Sequence, residues 1–141
     1  MLPGLAVLAA LCAHAAAQPA DLKRHLDFGL WNDRIHALYA VGELKGEGLP
    51  LLAYAADDAD YQVRLTVVHF LGKLGPAAAP ALGQIARDEP CKHVRLAALK
   101  WLSDIEGAGA RVYREVATPE DERDLAELPA GQGRMGQPLV I

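Results

Sequence analysis

Arg34 to Leu44 (RIHALYAVGEL), Arg64 to Leu74 (RLTVVHFLGKL) and Arg95 to Ile105 (RLAALKWLSDI) align without gaps, and their leading arginines lie 30 and 31 residues apart. Recurrence at a fixed period in this range marks a stacked repeat. Counted from the arginine, offset 1 is Ile35, Leu65 or Leu96, and offset 7 is Val41, Leu71 or Leu102. Between them lie Ala37-Leu38, Val67-Val68 and Ala98-Leu99, and offset 10 closes each string with Leu44, Leu74 or Ile105. Steps of three and four place these side chains on one side of a helix. Offset 8 is Gly42, Gly72 or Ser103. Glycine inside a helix costs ~1 kcal/mol relative to alanine, so its recurrence there points to a neighbouring helix that approaches closely.

The stretches that precede the later strings also match. Leu49-Pro50-Leu51-Leu52-Ala53-Tyr54-Ala55 aligns with Ala79-Pro80-Ala81-Leu82-Gly83-Gln84-Ile85-Ala86. Proline is tolerated in a first turn, where its missing N–H has no helical partner. Each of these helices ends in an acidic break, Asp57-Asp58-Ala59-Asp60 or Asp88-Glu89-Pro90. Acidic side chains there suit the start of the helix that follows. Lys45-Gly46-Glu47-Gly48 and Gly75-Pro76 read as turns between hairpins. The expected fold is all-α, a short solenoid of about three stacked helical hairpins. Sparse β-branched residues without alternation offer no sheet signal. The stretch from about Pro19 to Leu30 reads as a solvated N-terminal cap.

These residues also carry a family resemblance. Asp58-Ala59-Asp60-Tyr61-Gln62-Val63-Arg64 and His93-Val94-Arg95, each followed by an Ala/Leu-rich helix with Leu-Gly or its equivalent, resemble HEAT repeats. The likeness is to the short bacterial kind that also occurs in phycobilin-lyase-type proteins. It covers about Leu30 to Ile105, and the first repeat departs from it with Asp33 where the family prefers Val. The resemblance implies a superhelix of hairpins used as a protein-binding surface. It also raises the alternative of an enzyme or enzyme subunit of the bilin-lyase sort.

A chain of 141 residues accommodates one domain. The net charge of −4, without a long run of one sign, argues against a nucleic-acid binder and against a polybasic membrane patch. Residues 1–17 read as a signal peptide, 18–106 as the repeat domain and 107–141 as a largely irregular tail with a short helix over 119–128. The apolar run Leu5 to Ala13 leads to Ala15-Ala16-Ala17, which suits cleavage before Gln18, although no Lys or Arg precedes it. A retained anchor and an extra first helix are the competing readings of that segment. The expected location is periplasmic or secreted, with no membrane association after cleavage. Cleavage leaves Cys91 as the lone thiol, either a small packing residue or a site for pairing between chains. Leu139-Val140-Ile141 is an apolar end of the kind that can add as a strand to a groove.

In such a stack the second helices line the concave side. Their offsets 2, 5 and 9 are expected to face solvent and a protein partner: His36, Tyr39 and Glu43, then Thr66, His69 and Lys73, then Ala97, Lys100 and Asp104. Tyr and His combine contact area with a polar tip, which suits interfaces. Phe70 and Trp101 read as core. Arg64 and Arg95 are expected to pair with acidic residues of their own breaks, such as Asp58 or Asp88. No catalytic, cofactor-binding or metal-binding set is found. Cys91 and His93 lack companions for a zinc site. Glycine-rich phosphate loops are missing, and Ser103, the one serine, occupies a packing position.

Overall fold

A computed structural model describes residues 18–129; the expected signal peptide and the apolar C-terminal end lie outside the described residues. Eight α-helices follow in order: α1 (Pro19–Phe28), α2 (Trp31–Glu43), α3 (Leu49–Ala55), α4 (Tyr61–Leu74), α5 (Ala79–Asp88), α6 (Lys92–Asp104), α7 (Ala108–Val116) and α8 (Pro119–Glu127). Short 3₁₀ turns, Lys45–Gly48 and Gly75–Ala78, join α2 to α3 and α4 to α5. The three arginine-led strings are α2, α4 and α6, as their periodicity requires.

Local chemistry explains the boundaries. Pro19, Pro50 and Pro80 lie in the first turns of α1, α3 and α5. The Asp60 carboxylate caps α4 by accepting from the N–H groups of Gln62 (2.8 Å) and Val63 (3.3 Å). Thr118 caps α8 and exchanges hydrogen bonds with Asp121. Gly75 leaves α4 with a φ of 74°, a conformation that glycine adopts without a Cβ penalty.

The helices form two layers. The first contains α1, α3, α5 and α7, and the second α2, α4, α6 and α8. Within the second layer α2 packs on α4, α4 on α6 and α6 on α8, while α1–α2, α3–α4 and α5–α6 pack across the layers. Leu38, Val41, Val63, Val67, Leu71, Leu82, Val94, Leu99 and Leu102 are completely buried. Most are the apolar offsets of the strings. A single hairpin cannot bury this surface alone, so stability arises from stacking.

The segment after residue 107 departs from expectation. The helix expected over 119–128 is present as α8, but the described part of the tail also contains α7 and is mostly helical. Helix α7 is short, and its support is tertiary. A Cβ on Gly109 would meet the Leu102 carbonyl and Ile105 side chain, so only glycine permits this approach to α6. Val112 fills the space that a Cβ on Gly83 of α5 would take. None of that packing is visible in nine residues of local pattern.

Candidate functional site

The turns between first and second helices lie along one edge of the stack, and the repeated arginines bind them together. Arg34 donates from Nε and Nη2 to Asp58 (2.7 and 2.9 Å) and from Nη1 to the Gly29 carbonyl (2.7 Å). Arg64 donates from Nε and Nη2 to Glu89 (3.0 and 2.9 Å) and from Nη1 to the carbonyls of Asp58 (2.7 Å) and Ala59 (3.1 Å). Arg95 meets Asp121 of α8 at 3.0 Å. Each of the later two carboxylates thus belongs to the turn or helix start one repeat further on. Arg64 does reach its own acidic break, but through backbone carbonyls. The expected pairing of Arg64 and Arg95 with carboxylates of their own breaks is therefore corrected: a guanidinium at the second helix's first turn points along the stack axis, toward the next hairpin.

These carboxylates also hold backbone. Asp58 accepts from the Asp60 N–H at 2.9 Å and Glu89 from the Cys91 N–H at 3.0 Å. Burial works against ionised Asp121, but the Thr118 N–H and hydroxyl and the Arg95 guanidinium outweigh it and hold its pKa below the usual carboxylate range. Hydrogen bonding to Glu89 raises the Arg64 pKa further above its ordinary value, against the cost of burial. The arginines are thus structural clamps, not free anion-binding groups.

The solvent-facing side of α2, α4 and α6, expected to line the concave side of the stack, is the surface expected to meet a partner. His36, Tyr39, Glu43, Lys73 and Asp104 are exposed there, and Lys100 is half-buried. Thr66 and His69 are not available: each is only 9% exposed. Offset 2 is exposed as His36 in the first string but covered as Thr66 in the second, where the hydroxyl donates to the Gln62 carbonyl at 2.8 Å. Ala97 at the same offset is also buried. His69 is enclosed by Phe70 and Trp101, whose ring centroids lie 5.0 and 5.8 Å away in edge-to-face geometry.

Phe70 and Trp101, at offset 6, occupy a position between core and surface. Tyr39 meets Phe70 edge to face at 5.2 Å. The Phe70 ring lies over Gly42 and the Trp101 indole over Gly72, where an added Cβ would collide with atoms of each ring. The signal was present in the sequence: an aromatic at offset 6 answers a glycine at offset 8 of the preceding string. The resulting strip runs Tyr39, Phe70, His69, Trp101, bordered by Lys73, Lys100, Glu43 and Asp104. Lys100 pairs with Asp104 at 3.3 Å.

The Nδ1 atom of His69 is buried and has no hydrogen-bond partner among the described residues. Burial, aided by the nearby Lys73 ammonium, pushes the His69 pKa down to about 4. The folded protein therefore disfavours the charged imidazole relative to the unfolded chain. This stabilisation is complete above the unfolded pKa near 6.5 and declines as pH falls from there to about 4. Unfolding free energy is expected to drop by about 1–2 kcal/mol between pH 7.5 and pH 5. Urea titrations of the protein and of His69→Leu check this: the variant should lose that part of the slope.

The described residues contain no group of three or more His, Cys, Asp or Glu side chains placed to hold a metal ion. Cys91 is half-buried at the start of α6.

A stack of helical hairpins with an aromatic strip on its second helices is the architecture of an α-solenoid. Residues 26–103, just over half of the chain, match the family model for HEAT repeats. The chain belongs to the HEAT-repeat family, whose members generally mediate contacts between proteins. Searches of the curated proteins and of the solved structures return no significant match.

Proposed function

We propose that the protein is an exported, non-catalytic scaffold or adaptor that binds a protein partner through the solvent-facing, concave side of α2, α4 and α6. The observation that carries this reading is the aromatic strip. Tyr39 is 51% exposed, and Phe70 and Trp101 are only partly covered. Rigid aromatic rings within a border of mixed charge supply contact area at low entropic cost, which is the anatomy of an interface centre and rim. His36 extends the face at its N-terminal end. Export is supported by the apolar, alanine-rich segment with small residues before Gln18, which reads as a cleavable signal and suits a periplasmic or secreted protein. The partner is a protein; neither a nucleic acid nor a membrane surface suits this mixture of charges.

Affinity capture with the full chain, followed by mass spectrometry, should recover a partner from the periplasm or medium. Tyr39→Ser combined with Lys73→Glu should weaken that partner at least tenfold. Both residues are exposed, so circular dichroism should not change; the melting temperature should fall only modestly, because Tyr39 gives up its edge contact with Phe70. Undiminished affinity in this variant would exclude the face from the interface.

A further inference from the structure

Among the described residues, the first layer opens between α3 and α5. Helices α1 and α3 are joined by Tyr54, which bonds Asp27 and lies 4.4 Å from the Lys23 ammonium across its ring. Helices α5 and α7 close on each other through Gly83 and Val112. Between α3 and α5 there is no comparable packing. Helix α3 is only seven residues long, and the facing positions are Ala53, Ala56 and Ala81. Side chains this small leave a cleft of about 410 Å³, floored by those alanines with Leu71 and Ile85. That volume lies within the usual range for ligand clefts.

The rim is acidic. Asp57, Asp58, Asp88 and Glu89 surround the opening, with Arg64 at its end. Asp58 is neutralised by Arg34 and Glu89 by Arg64. Asp57 and Asp88 meet no cation among the described residues; Asp88 accepts only from the neutral Gln84 amide. An apolar floor below two uncompensated carboxylates complements one kind of side chain, an aliphatic stem that carries a positive head.

We propose that the α3–α5 cleft is a second docking site, which takes a lysine- or arginine-bearing segment of a protein partner. The stem lies on Ala53, Ala81 and Ile85, and the head group meets Asp57 and Asp88. This site lies on the opposite layer from the aromatic strip, so the two surfaces can be occupied together. It stands or falls independently of the α2–α4–α6 face.

The test is a two-dimensional NMR titration of the full chain with a capped pentapeptide alternating alanine and arginine. Shifts should concentrate at Ala53, Ala56, Ala81 and Ile85, and affinity should fall with salt. Asp57→Asn with Asp88→Asn should weaken binding at least tenfold. Ala81→Leu, which fills the floor and leaves every charge in place, should do the same. Glu120→Gln with Glu122→Gln, on the equally acidic α8, should leave affinity unchanged. The proposal is overturned if the α8 variant weakens binding as much as the cleft variant. It is equally overturned if Ala81→Leu has no effect, or if a norleucine version of the peptide binds as tightly.

Discussion

Gly72→Val is expected to lower the unfolding free energy by about 3 kcal/mol and the melting temperature by roughly 10 °C, the larger of the effects that act through packing alone. The Cβ of any residue at position 72 collides with the Trp101 indole, against Cγ, Cδ2 and Cε2 at the centre of the side chain. These atoms are not a flexible tip that can swing away. The His69 ring lies against the same indole. Overpacking of this kind typically costs 1–3 kcal/mol, and the second methyl of valine adds to it. Alanine at position 72 recovers ~1 kcal/mol of helix propensity but still carries the clash, so Gly72→Ala should destabilise less and in the same direction. Trp101→Leu introduced with Gly72→Val should restore part of the loss, because it removes the atoms that collide. Calorimetry of the four proteins checks the argument. A melting temperature unchanged in Gly72→Val would show that the indole does not sit on this glycine.

Removal of one arginine clamp should have an effect of similar size by a different route. Arg64→Met is expected to cost about 3–5 kcal/mol, the range for removal of one member of a buried ion pair. The Glu89 side chain is 4% exposed and takes three hydrogen bonds from Nε and Nη2 of Arg64. Without the guanidinium it retains the Cys91 N–H and loses its compensating charge. The Asp58 and Ala59 carbonyls lose a donor as well. Exposed pairs contribute far less, so Lys23→Met at the solvent-screened Lys23–Asp27 pair should have a much smaller effect, even with its contact over the Tyr54 ring lost. Arg95 is more exposed than Arg64, at 29% against 14%, so Arg95→Met should fall between the two. Glu89→Leu added to Arg64→Met removes the stranded charge and should recover a substantial part of the stability. A double-mutant cycle measured by urea unfolding separates this coupling from simple loss of packing.

Much of the molecule follows from residues that can be read in order along the chain. The arginine period, the apolar offsets, Pro50 and Pro80 in first turns and Asp60 before α4 each act over a few residues, and together they define paired helices that must stack. The recurrence of Gly42 and Gly72 pointed to close approach by a neighbouring helix, and the structure shows that the groups brought there are the Phe70 and Trp101 rings. Other features depend on which hairpin stands beside which. Offset 2 is exposed as His36 and covered as Thr66, although the local pattern is the same, because a central helix has neighbours on both sides. His69 disappears between rings supplied by its own helix and the next. Arg64 selects the carboxylate of Glu89, 25 residues ahead, since the stack brings the following turn closer to the guanidinium than its own acidic side chains. Helix α7 forms against α5 and α6, through close approaches at Gly83 and Gly109. The α3–α5 cleft arises where a short helix and three alanines fail to fill a layer that is closed on either side. Periodicity along a chain records what a residue does to its own helix; side chains that act between repeats acquire their surroundings only when the repeats are assembled.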